Sequence, residues 1–290
     1  MHVDSRDYIP RTGKPLDLAD WPTRGKPLCR SPHQYRETLG EHVVALSARQ
    51  QLHYASGRHA LLLIMQGMDT AGKDGTIRHI MSGVDPQGCQ VYSFGPPSVE
   101  ELKHDFLWRT TCRLPERGRI GIFNRSWYEE VLIVRVHPTI LAGENLPAHD
   151  AGSHLWRRRY RSIVNLERHL HANGTRIVKV FLHLSKAEQR RRLLARIADA
   201  DKNWKFSHAD IHERGYWKDY AKAYADAIAA TNTRHAPWFI VPADDKDASS
   251  LIVSQIVMDT FDSMHMSYPE ATPRARRQLR RCARELQRKS

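Results

Sequence analysis

Cysteine is scarce and unpatterned in this chain. Its four cysteines, Cys29, Cys89, Cys112 and Cys282, form no CxxC pair. That spacing speaks against a zinc ribbon or a disulfide framework, and the four read as reduced thiols packed as small hydrophobes. Long apolar runs are also missing. The stretch Ala60–Met65 is far too short to span a bilayer, and Met1–Asp7 has no apolar segment of the signal-peptide kind. The expectations are no membrane partner and a cytoplasmic location. There is no internal repeat and no low-complexity stretch. Neither an aromatic-rich binding strand nor a helix-turn-helix signature accompanies the charge, so no nucleic-acid partner is expected.

Acidic residues are outnumbered, 32 against 45 Lys and Arg, and the net charge of +13 creates a field that attracts polyanions. Hydrophobic content of 41% and charged content of 27% describe a globular chain, and 290 residues suffice for one large α/β domain or two small ones.

Residues 1–33 are polar and carry Pro10, Pro15, Pro22, Pro27 and Pro32, as an extended arm on a domain would. Residues 34–266 then alternate. Helical spacing of Tyr35, Leu39, Val43, Val44 and Leu46 predicts a helix from Gln34 to about Gln51. The run from His59 predicts a buried parallel strand. Helices are expected over Thr76–Ser82, Val99–Thr111, Tyr128–Val136, Trp156–His171, from Ser185 through Ala198, Asp210–Ala230 and Ser249–Met264. Ser185 with Glu188 has the form of a capping box. Strands are expected over Cys89–Phe94, Arg119–Phe123, Ile177–Leu184 and Trp238–Pro242. Such alternation means a parallel sheet covered on both faces. Residues 267–290 form a basic tail, read as a solvated helix or a frayed end.

The strand at His59–Gln66 runs directly into Gly67-Met-Asp-Thr-Ala-Gly-Lys-Asp-Gly-Thr76. This is the strand–GxxxxGK–helix context of a Walker A phosphate loop. Gly67 and Gly72 let backbone amides face an anion, with Thr70, Ala71, Asp74 and Gly75 completing the cradle. The following helix adds partial positive charge, and Lys73 adds a full one. The residue after the lysine is Asp74 rather than Ser or Thr, and Asp69 lies inside the loop. A carboxylate in a phosphate loop implies a cation between them, so Asp69 is expected to help hold Mg²⁺, while Asp74 is read as a helix cap. The second signature strand ends at Asn124, with Arg125 after it at the sheet edge where parallel sheets place ligands. A cation there suits transition-state charge. Glu129 and Glu130 could reach Mg²⁺ or a nucleotide, or form a solvated helix start.

Three blocks in order, the phosphate loop, Asn124-Arg-Ser-Trp-Tyr-Glu-Glu-Val-Leu132 and Lys202-Asn-Trp-Lys205-Phe-Ser207, resemble the polyphosphate kinase 2 family over roughly residues 30–265. The resemblance implies a P-loop kinase fold like that of thymidylate kinase: a parallel sheet, flanking helices and a helical lid at about 185–215. It implies Mg²⁺-dependent, reversible phosphoryl transfer between inorganic polyphosphate and adenine nucleotides (AMP/ADP to ADP/ATP), guanine nucleotides remaining open, by a homodimer or homotetramer. Carried over by position, Asp69, Lys73, Asn124, Arg125 and the lid residues Arg192 and Arg196 serve catalysis. Tyr128-Glu129-Glu130 is closer to the Tyr-Glu-Asp of members that also accept AMP, with Trp127 and Glu130 departing from the pattern. With Asn124 these three are the expected nucleotide contacts. A polyanionic donor needs a long basic track, which Lys202 and Lys205 would extend. Arg192 and Arg196 share a helix face, whereas Arg190 and Arg191 are read as solvent-facing. The alternative readings are an ATP-dependent nucleoside monophosphate kinase and, further off, a nucleic-acid-binding protein.

Overall fold

The computed structural model describes residues 3–147 and 154–288. Five parallel strands form one sheet: β1 Ala60–Gly67, β2 Cys89–Ser93, β3 Ile120–Asn124, β4 Thr175–His183 and β5 Trp238–Pro242, in the order β2-β3-β1-β4-β5. The helices are α1 Pro32–Ser56, α2 Lys73–Ile80, α3 Trp108–Thr111, α4 Ile133–Val136, α5 Pro138–Gly143, α6 Leu155–Ala172, α7 Lys186–Ala198, α8 His208–Glu213, α9 Trp217–Thr231, α10 Lys246–Asp262 and α11 Pro273–Arg288. This is the expected α/β arrangement. None of the described helices is long and apolar enough to cross a membrane.

The continuous apolar run is explained by its place. All eight residues of β1 are buried at the centre of the sheet, and successive side chains alternate between two cores. Leu61, Leu63 and Met65 pack with Ile77, Leu46 and Ile256 of α2, α1 and α10. Leu62 and Ile64 pack with Phe123, Ile163 and Ala227, the last two from α6 and α9. Each such side chain contributes about 1.5–3 kcal/mol by burial.

Local signals account for most departures from expectation. Helix α1 starts earlier than read, because Ser31 caps it through the Gln34 amide and Pro32 occupies its first position. Val44, counted into the apolar spacing, is exposed. The helix expected over Val99–Thr111 is two pieces, a 3₁₀ turn at Glu101–Lys103 and α3. Ser98 and Glu101 cap each other's backbone amides, and Asp105 then caps the Leu107 amide, so polar side chains start a new turn twice. Tyr128–Val136 is likewise a 3₁₀ segment, Trp127–Val131, followed by α4. The 208–231 segment breaks at a 3₁₀ turn, Arg214–Tyr216. At Ser185 the side chain caps the Glu188 amide, but the return bond of a capping box is replaced, since Asp244 accepts from Ser185 N at 2.8 Å. Cys112 and Cys282 are exposed rather than packed.

The arm is anchored, not loose. Val3 and Leu18 are buried, Asn232 donates to Pro10 O at 2.6 Å, and Thr23 donates to Asp244 at 2.9 Å.

Candidate active site

The phosphate loop begins where β1 ends in the middle of the sheet. At Gly67 an added Cβ would sit 3.0 Å from both the Ala71 side chain and the Leu182 carbonyl, so glycine is required by close approach. The chain then turns through Thr70 at φ 59° and Gly72 at φ 103° into α2. Gly72 offers no capping side chain, and residues 72–76 line a cleft of about 940 Å³. Unfilled first-turn amides and the helix dipole make that end of α2 suited to an anion.

Lys73 folds back onto the loop, donating to Gly67 O at 2.9 Å and Met68 O at 3.3 Å. Crowding by protein pushes its ammonium pKa down, and Arg125 pushes the same way. Asp69, Glu129 and Asp74 oppose. A phosphate arriving in the cleft would take the place of the two carbonyls.

Helix α7 reaches the loop from the other side. Gln189 donates to Asp69 O at 3.0 Å, and Arg214 in turn donates to Gln189 Oε1 at 2.6 Å. Arg192 is buried. It donates to Thr70 O at 3.2 Å, Ala71 O at 2.9 Å and Ala243 O at 2.5 Å, and through Nε to Glu188 at 2.8 Å. Arg192 and Arg196 both line the cleft, and Arg192 here ties the loop to Ala243 through backbone carbonyls. Hydrogen bonding from Arg191 and then Arg192 draws the Glu188 carboxyl down to about 2, burial opposing. Arg196 lines the cleft, 3.9 Å from Asp69 and 3.5 Å from Asp210. Arg190 and Arg191 are exposed, as read. Lys202 lines the cleft and pairs with Asp199. Lys205 falls in the 3₁₀ turn Asn203–Lys205, and its side chain lies outside what the structure describes.

Asp74 is not the cap it was read as. It sits inside the first turn of α2 and accepts from Asn124 Nδ2 at 2.7 Å. This bond ties the end of β3 to the phosphate loop. Asn124 Oδ1 and Asp69 Oδ2 are both buried without a hydrogen-bond partner, and both residues line the cleft. Among the described residues no group of three or more His, Cys, Asp or Glu could hold a metal. Two unsatisfied oxygens beside a phosphate loop do fit an ion that takes its remaining ligands from phosphate and water. Arg125 follows at φ 66°, a conformation that costs a non-glycine residue about 1–2 kcal/mol. Its amide donates to Met65 O at 3.0 Å, which fixes the turn.

Arg125 also walls a second cavity of about 300 Å³. Its apolar surface comes from Pro96, Phe106, Ile133, Val134 and Leu146, and Gly95 is shared with the cleft. Four charged side chains stand at its inner end. Arg109 is 3.4 Å and Arg159 3.7 Å from Glu130, and Arg159 also pairs with Glu144. Burial first, then Glu144, raises the Glu130 carboxyl to about 7, against the two arginines. Glu129 and Glu130 are therefore no solvated helix start. Glu129 is 3.9 Å from Arg125, with 12% of its side chain exposed, and both glutamates line this cavity. Tyr128 is corrected too: its ring is wholly buried. Its hydroxyl donates to Glu167 at 2.8 Å and receives Lys179 Nζ at 3.0 Å. It braces the segment from behind, with no surface open to the cavity.

Sequence reading missed Gln189, Arg109, Arg159 and Glu144. A signal existed for Arg159: Leu155, Arg159, Ile163 and Glu167 recur every four residues on the buried face of α6. A charged residue on an apolar stripe asks for a partner.

Comparison with known proteins gives the chain a family. The profile of the family Polyphosphate kinase 2 (PPK2) matches residues 30–269. The chain is 57% identical over 287 residues to an ADP-polyphosphate phosphotransferase of Rhodopseudomonas palustris, covering 99% of each. It is 44% identical over 225 residues to an AMP/ADP-polyphosphate phosphotransferase of Meiothermus ruber, covering 78% of this chain and 80% of that one. The crystal structure of polyphosphate kinase 2 from Arthrobacter aurescens TC1 superposes with a TM-score of 0.83 at 38% identity, over 93% of this chain and 94% of that one. The chain thus belongs to the polyphosphate kinase 2 family.

Proposed function

We propose that the enzyme transfers a phosphoryl group between inorganic polyphosphate and adenine nucleotides, AMP and ADP to ADP and ATP, in both directions. One observation carries the reading: Arg125 and Gly95 line both the cationic cleft over the phosphate loop and the apolar cavity beside it. An acceptor nucleoside in the apolar cavity would have its phosphates at Arg125. A polyphosphate end in the cleft would lie on the loop amides and Lys73. The two reacting groups then meet across one guanidinium. The names of the relatives, which act on ADP or on AMP and ADP with polyphosphate, point the same way.

An acceptor phosphate oxygen is already anionic at pH 7, so no general base is needed, and catalysis is positioning and electrostatics. Lys73 exchanges its two carbonyl partners for oxygens of the transferring group. Arg125 neutralises charge between donor and acceptor, and Arg196 does so from the lid side. Asp69 and Asn124 would hold Mg²⁺, which when bound supplies charge neutralisation on the phosphates.

The test is incubation with polyphosphate and AMP, ADP or GDP in turn, with ATP absent, followed by product analysis. Formation of ADP or ATP that is lost in Lys73→Ala supports the reading. In a parallel incubation with ATP as donor, transfer to AMP from ATP but never from polyphosphate would show a nucleoside monophosphate kinase instead.

A further inference from the structure

Helix α11 lies beyond the family match, which ends at residue 269, and none of its residues is buried. Residues 265–272 before it have no regular structure and contain Pro269. An irregular segment of that length can hold the helix at a variable angle to the body. Arg276 donates to Ala271 O and pairs with Glu270, and Arg281 pairs with Glu285.

At 3.6 residues per turn its residues segregate. Arg274, Arg276, Arg277, Arg280, Arg281, Arg284 and Arg288 lie within one arc, just under half of the circumference, which they share with Gln287 alone. Ala275, Leu279, Cys282, Ala283 and Leu286 fill a separate arc opposite. The leucines of that arc are 63% and 71% exposed. A stripe that is apolar and carries two exposed leucines, beside an arginine arc interrupted by Gln287 alone, has one chemical complement that takes both: an interface that is anionic outside and hydrocarbon within.

We propose that α11 is an interfacial helix that docks the enzyme reversibly on an anionic lipid surface. The arginine arc meets headgroup phosphates and the Leu279–Leu286 stripe enters the acyl boundary. Polyphosphate or nucleic acid would satisfy the arginines alone and would leave segregation of the apolar residues without cause. Pairing with a second copy would crowd two arginine arcs around a seam holding only two leucines per helix, a like-charge arrangement that opposes association. The expectation of no membrane partner is replaced for this segment, with attachment on the surface and not across it.

Cosedimentation of the full chain with phosphatidylcholine vesicles, with and without phosphatidylglycerol, tests this. Binding is expected only to the anionic vesicles and is expected to fall with salt. Leu279→Ser with Leu286→Ser keeps every charge. It should weaken vesicle binding at least about tenfold, while polyphosphate retention and turnover stay at wild-type values. Three results would each overturn the proposal. The first is no sedimentation of the full chain with anionic vesicles. The second is equal vesicle binding by the double variant. The third is loss of polyphosphate binding or of a dimer in that variant.

Discussion

The Arg192 guanidinium donates to the Ala71 carbonyl at 2.9 Å, so helix α7 grips the phosphate loop by its backbone. The same side chain reaches Thr70 O and Ala243 O, joining the loop to the end of β5. Thr70 sits at positive φ, a conformation that needs support from its surroundings.

Arg192→Ala is therefore expected to lower kcat by about a hundredfold, roughly 2.7 kcal/mol of transition-state stabilisation, with little change in the KM for polyphosphate. Arg192→Lys should recover only part of this, because a compact ammonium on a shorter stem does not reproduce the planar guanidinium fork that reaches Thr70, Ala71, Ala243 and Glu188 together. Steady-state kinetics on both variants check it. A large rise in KM at unchanged kcat would mean that Arg192 touches the donor directly.

How far the site was legible follows from what each residue does. Lys73, Asp69, Asn124 and Arg125 lie at or just after the ends of β1 and β3 and line one cleft, where chain direction alone places them together, so motif order shows their proximity. Arg192 looked like a catalytic lid arginine because the helical repeat gives its face but not its depth. Only the tertiary contact shows Glu188 and three carbonyls taking its donors. Tyr128 stood in a motif and was taken for a ligand contact, yet its partners, Glu167, Thr231 and Lys179, lie 39, 103 and 51 residues away. The sheet was readable because a strand buried on both faces must be apolar throughout. The Val99–Thr111 helix was misread because Ser98, Glu101 and Asp105 restart the chain locally, against the apolar spacing.

Asp69 is the one carboxylate inside the loop, and its Oδ2 is buried without a hydrogen-bond partner. Asp69→Asn keeps the shape and removes the charge. The Mg²⁺ concentration for half-maximal activity should rise at least about tenfold, with an unchanged melting temperature. Magnesium titration of activity beside thermal unfolding decides it. An unaltered magnesium requirement would remove Asp69 from the metal site.

Glu130 gives a pH dependence with a defined sign. Its carboxyl is raised from 4.5 to about 7 in the folded chain, so between these values the native state holds a proton that the unfolded state has lost. Its contribution to stability is fullest below pH 4.5 and is lost as pH rises towards 7, by at most about 3 kcal/mol. Glu130→Gln cannot titrate. Its unfolding free energy, followed by urea denaturation from pH 5 to 8, should fall less steeply with pH than that of the wild type. Identical slopes would show that Glu130 is ionised throughout.

The last prediction concerns the interior behind the site. Lys179 stands in the middle of β4 with no exposure and lies 2.7 Å from the equally buried Glu167. It donates to Thr231 O and Tyr128 as well. Burial lowers the lysine's pKa and raises the glutamate's, and each partner restores the other's charged form. Lys179→Met would leave Glu167 and the Tyr128 hydroxyl without their cation, at a cost of about 3–5 kcal/mol. Removing both charges in Lys179→Met with Glu167→Leu should recover most of that loss, since an apolar pair of similar volume needs no desolvation. Urea denaturation of both variants separates the cases, and a double variant no more stable than the single would show packing, not charge, to be the origin. Tyr128 is the joint between this network and Glu129. Steady-state kinetics on the double variant should therefore show a raised KM for nucleotide even where stability is regained, because the segment carrying Glu129 and Glu130 has lost its brace.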